Sequence, residues 1–77
     1  MDSAAFLVFV KEQLELLLGE DPGDISLSTI WDEIPNFESF HYVNLIAIIE
    51  MEAGCQFNVA EVESFDCLQS IFDAMSR

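Results

Sequence analysis

Positive charge is what this sequence has least of. Lys11 and Arg77 are its basic residues, set against 15 acidic ones, for a formal net charge of −13. Binding a nucleic-acid backbone needs Lys and Arg side chains to displace counterions, so nucleic acid is excluded as a partner. An electrostatic dock onto anionic lipid is excluded for the same reason. A charged partner should instead be basic, because long-range steering favours the opposite sign.

Cysteine and histidine are also scarce. Cys55 and Cys67 form no paired spacing and make a poor disulfide framework. With the single His41 they fall short of the about four ligands a zinc ion takes, so no metal site is expected. Both cysteines read as small apolar residues. No apolar run approaches the roughly 20 residues of a membrane span. Met1-Asp2-Ser3 lacks the basic start of a signal peptide, and the apolar stretch that follows is broken by Lys11-Glu12-Gln13. The expectation is therefore a monomeric protein of the cytoplasm, away from membranes and with reduced thiols.

Catalytic signatures are missing as well. There is no glycine-rich phosphate loop. The stretch from Asp21 to Glu33 has carboxylates near its ends but lacks the alternating ligands and central Gly of a calcium loop. Ser39 and His41 are two apart on an expected helix and point to different faces, so they form no nucleophile–base pair. No catalytic residue is assigned, and the chain is not expected to be an enzyme.

What the sequence does have is apolar residues, 52% of 77. That is enough for one small core, so a single domain over 1–77 is expected. Phe6, Leu7, Val10, Leu14 and Leu17 recur at helical spacing and predict a helix from about Ser3 to Leu18, capped by Asp2 or Ser3 and stopped by Gly19. Phe9 and Leu16 lie off that stripe and suggest a second buried side. Asp21-Pro22-Gly23-Asp24 reads as a tight turn, opening a long connection in which Thr29 to Glu33 suits a short helical turn.

The second helix is expected to start near Ser39, a preferred N-cap, and to end near Ala53, with Gly54 as its stop. Phe40, Val43, Leu45, Ile46, Ile48, Ile49 and Met51 make it apolar enough to be largely surrounded. Asn58-Val59-Ala60-Glu61 has capping-box spacing for a short third helix. Asp66-Cys67-Leu68-Gln69 has the same spacing before a last helix to about Met75, with Leu68, Ile71, Phe72 and Met75 as its core stripe. The expected class is all-α: a small four-helix bundle with a long loop between the first and second helices.

One constellation stands apart. Glu38-Ser39-Phe40 closes the long loop and opens the apolar helix. Gln56-Phe57-Asn58-Val59 and Phe65-Asp66-Cys67-Leu68-Gln69-Ser70-Ile71 follow in order. This ordered set resembles the acyl carrier protein family, in which an Asp-Ser-Leu triplet starts the second helix. The resemblance covers nearly the whole chain. It implies a bundle of acyl-carrier-protein type whose Ser39 bears a covalent 4′-phosphopantetheine and holds acyl groups as thioesters for fatty acid, polyketide or related biosynthesis. It also implies a phosphopantetheinyl transferase and acyl-transferring or condensing enzymes with basic docking surfaces as partners.

Glu38 and Phe40 depart from the family's Asp and Leu, and His41, Asn44 and Met51 stand where acids are common. Glu38, Phe40, His41, Ala47, Glu50 and Met51 are the expected docking residues, with Tyr42 beside them in a mixed apolar face. Independently of the family, a helix N-terminus suits a phosphodiester because its N–H groups are free and its dipole is positive. The alternative is an acidic helical interaction module of the same fold, never modified, that docks basic partner proteins.

Overall fold

A computed structural model describes residues 1–75. It contains the α-helices α1 (Ser3–Leu18), α2 (Ser39–Ala53), α3 (Val59–Ser64) and α4 (Leu68–Met75), with a 3-10 turn at Trp31–Glu33 between α1 and α2. The architecture is an all-helical bundle with no strand among the described residues. An isolated antiparallel bridge joins Ile30 to Cys67.

The helix limits follow from local chemistry. Asp2 caps α1 by accepting the Ala5 N–H at 2.8 Å. Gly19 (φ 74°) and Gly54 (φ 67°) end α1 and α2 in the left-handed conformation that glycine adopts without a Cβ penalty. Asn58 and Glu61 close a full capping box on α3: Asn58 Oδ1 accepts from Glu61 N at 2.8 Å, and Glu61 Oε1 accepts from Asn58 N at 3.2 Å.

α1 packs on α2 and α4. Phe6, Val10 and Leu14 of α1 meet Leu45, Ile46 and Ile49 of α2, and Leu68 and Ile71 of α4, in one core that also takes in Ile25, Ile34 and Phe65. Phe6 faces Phe72 with ring centroids 5.5 Å apart. The residues expected on the α1 and α4 stripes are all in or against this core.

Four local expectations need correction. Leu16 is 77% exposed, so α1 buries no second side there, although Phe9 is half-buried. The expected turn at 21–24 is closed by a side chain, with Asp21 Oδ1 accepting from Gly23 N at 2.8 Å. The backbone-bonded turn lies further on, where Thr29 N donates to Ser26 O at 3.2 Å. The capping box read at 66–69 gives way to Ser70, whose hydroxyl donates to Cys67 O at 2.6 Å, while Gln69 bonds Asp73 instead. Finally, α2 is not surrounded: Val43 and Met51 are 62% and 84% exposed.

The segment 19–38 is held to the rest of the chain by specific bonds. Leu27 O accepts from Gln69 N at 2.8 Å, Ile30 bridges Cys67, and the Trp31 indole N–H donates to Phe65 O at 2.9 Å. These three ties run antiparallel along 65–69, so the segment lies against the α3–α4 junction. Asn36, at φ 62°, donates from Nδ2 to Glu20 Oε1 at 2.6 Å and draws the two ends of the segment together. Buried Pro22, Ile25 and Ile34 anchor it underneath.

Candidate functional site

The start of α2 is set by Glu38, whose extended backbone (φ −117°, ψ 169°) makes it the N-cap residue. Ser39 is therefore the first helical residue and not the cap that its side chain suggests. The reciprocal half of the capping arrangement comes from His41, whose Nδ1 accepts from Glu38 N at 3.0 Å. His41 N and Tyr42 N both donate to Glu38 O. The donors left at the helix start are the Ser39 and Phe40 N–H groups, as expected where a helix begins without earlier carbonyls to bond. Ser39 is exposed, and its hydroxyl is engaged in no hydrogen bond among the described residues.

Ser39 and Glu38 line a cleft of about 250 Å³ together with Trp31, Asp32, Phe37 and Tyr42. The aromatic walls pack on one another: Trp31 stacks on Phe37 at 5.5 Å and meets Tyr42 at 5.1 Å. The Tyr42 hydroxyl donates to Val62 O at 2.6 Å. Burial pushes its pKa up to about 12 from 10.0, because the phenolate would lose water there. Tyr42 is thus a structural strut between α2 and α3.

A second hollow of about 280 Å³ runs between α2 and α3, lined by Val43, Ile46, Ala47, Glu50, Phe57, Val59, Val62 and Glu63. Its walls are mostly aliphatic. Val43 and Val59 are well exposed at its rim.

The expected docking residues are not all on one surface. Phe40, Ala47 and Met51 are exposed. Glu38 lies in the first hollow, Ala47 and Glu50 in the second. His41 is 9% exposed and committed to Glu38 N and to ring contacts with Phe37 and Phe40, so it offers little to a partner. Glu50 is half-buried, and its Oε2 accepts from Phe57 N at 2.7 Å, which makes it a brace for the α2–α3 connection as well as a surface charge.

Trp31, Asp32 and Phe37 beside Ser39, and Val59 and Val62 across from α2, were missed by sequence reasoning. The first group carried a signal in its aromatic–acid clustering within the loop. The second carried one in its i, i+3 spacing on α3.

Among the described residues no group of three or more His, Cys, Asp or Glu side chains is placed to hold a metal ion, and no helix is long and apolar enough to cross a membrane. No protein-family model, curated protein or solved structure matches the chain.

Proposed function

We propose that this chain is an acyl carrier protein, with Ser39 as the attachment point of a 4′-phosphopantetheine arm and no catalytic group of its own. The observation that carries this reading is the placement of Ser39. Its hydroxyl is exposed at the first position of a 15-residue helix and is not spent on capping, since Glu38 holds the cap. A modifying enzyme needs an accessible hydroxyl, and a phosphodiester needs nearby donors. Here the Ser39 and Phe40 N–H groups and the positive end of α2 provide them.

The fit extends beyond the attachment point. When attached, the arm supplies a terminal thiol that holds an acyl group as a thioester. The chain's own residues supply the rest: the α2–α3 groove offers an aliphatic lining for an acyl chain. The exposed Phe40, Val43 and Met51 offer apolar contact to a partner, and the acidic surface steers basic enzymes towards it.

A second reading is favoured by the same exposed face. Apolar residues that α2 leaves uncovered, set in a surface of net charge −13, suit an unmodified module that docks basic proteins. Incubation with coenzyme A and a broad-specificity phosphopantetheinyl transferase separates the readings by intact mass. The carrier gains one phosphopantetheinyl group and Ser39→Ala gains none. A chain that stays unmodified with every transferase tried belongs to the second reading.

A further inference from the structure

α1 has a second apolar face, left uncovered among the described residues. Residues two apart on a helix stand about 200° from each other, so Val8 and Leu16 point away from the core residues Val10 and Leu14. Val8 is 56% exposed and Leu16 77%. Val8, Glu12 and Leu16 follow at four-residue steps and lie in one row. Met1, Ala5, Val8 and Glu12 line a hollow of about 470 Å³ together with Glu52, near the end of α2. The hollow therefore spans two helices, the setting in which a groove receives a third. Its carboxylates bear on what covers it. Glu12 and Glu52 join no ion pair among the described residues, and Glu15 is exposed two turns on from Val8. Lys11, the one cation on α1, stands about 100° round the helix from Glu12.

We infer that this face docks a basic amphipathic helix of another protein, one whose apolar stripe is flanked by Lys or Arg. The stripe meets Ala5, Val8 and Leu16, and the cations meet Glu12, Glu15 and Glu52, so apolar contact and charge are matched together. A second copy of the chain is a poorer match. It would bring the same carboxylates and a further net charge of −13 against them. A lipid surface is poorer too, because helices that lie on membranes carry Lys and Arg along their polar face, which α1 lacks. The 16 residues of α1 extend about 24 Å, enough for about four turns of a partner helix. Glu52 stands at the far end of α2 from Ser39, about 20 Å along the axis, so a partner held here leaves Ser39 open. The inference does not depend on the carrier reading, since it concerns α1 of the unmodified chain.

The probe is a helical peptide of Leu and Lys, about 18 residues long with its leucines in one stripe, set against a scrambled peptide of the same composition. Binding is followed through the backbone amide shifts of the isotope-labelled chain. The striped peptide should give saturable shifts centred on residues 5–16 and Glu52, and should bind roughly tenfold more tightly than the scrambled one. Val8→Ser should weaken the striped peptide severalfold. Glu12→Gln combined with Glu52→Gln should flatten its salt dependence. All three sites are exposed, so the variants should fold, and an unchanged thermal midpoint checks this. Shifts centred on the α2–α3 groove overturn the inference. So does equal binding of the two peptides, which would make charge alone responsible, or the absence of any saturable shift. Sedimentation velocity should find a monomer; a dimer that Val8→Ser dissolves would make a second copy the occupant and overturn the inference as well.

Discussion

The cleft at the start of α2 and the groove along its α3 side share one helix but are held in different ways. The cleft is walled by stacked rings whose polar ends are bonded to Phe65 and Val62 carbonyls, with two carboxylates at its edge. The groove is lined mainly by aliphatic side chains of α2 and α3, with Val43 and Val59 exposed at its rim and Glu50 bracing one end. Stacked rings and two directional bonds fix the first, and aliphatic packing shapes the second, with the Tyr42–Val62 and Glu50–Phe57 bonds tying its sides together. The first hollow thus carries carboxylates beside aromatic rings, and the second an apolar lining between two helices.

The comparison breaks most visibly at the floor of the groove. Ile46 is 5% exposed and belongs to both the core and the groove lining. Ile46→Ala should cost about 2–5 kcal/mol of stability, read by denaturant unfolding, because the cavity it leaves is only partly refilled. The brace comes next. Glu50→Ala removes a charged acceptor from Phe57 N, and about 1.5–3 kcal/mol should be lost. Glu50→Lys should therefore lower the thermal midpoint as well as weaken docking. An unchanged midpoint would mean that Glu50 serves partners alone.

A smaller effect is expected on the cleft side. Tyr42→Phe keeps the ring but loses the bond to Val62 O, for about 1 kcal/mol near neutral pH. Its pH signature has a definite sign. With a folded pKa pushed up to about 12 against 10.0, the unfolded chain gives up its proton first. Tyr42's contribution is thus complete below pH 10 and falls as pH rises towards 12. Wild type should lose stability over that window more steeply than Tyr42→Phe, as measured by urea unfolding at each pH. The least effect is expected at Met51, which is 84% exposed: Met51→Ala should stay within about 0.5 kcal/mol in stability while weakening partner binding.

Much of this was legible in the sequence where the determining interactions are local. Asp2, Gly19, Gly54 and the Asn58–Glu61 box act within a few residues of themselves, and a reader of the chain finds them where they stand. The Phe6–Val10–Leu14 stripe is legible for the same reason, since spacing alone puts those residues on one face. The start of α2 was legible to within a residue, since the cap falls on Glu38 and not on Ser39, and its chemistry was not. Ser is the statistically preferred cap, yet the extended backbone falls on Glu38 and a histidine side chain completes the arrangement. His41 reads as a docking residue because it stands where the carrier family often has acids, and its bond to Glu38 N and its ring contacts with Phe37 and Phe40 explain its burial. Trp31, Asp32 and Phe37 reach Ser39 because Leu27, Ile30 and Trp31 pair with residues more than 30 positions away, which no local pattern encodes.

The central claim is that Ser39 is the residue that carries the arm. Cleavage after glutamate tests it directly, because cuts after Glu38 and Glu50 release residues 39–50 with Ser39 as the only serine. After incubation with coenzyme A and a phosphopantetheinyl transferase, the account predicts that the mass of one phosphopantetheinyl group appears on that peptide and on no other. The same mass on residues 21–33, which hold Ser26 and Ser28, or on the peptide beginning at Ser64, with 39–50 unchanged, would contradict it.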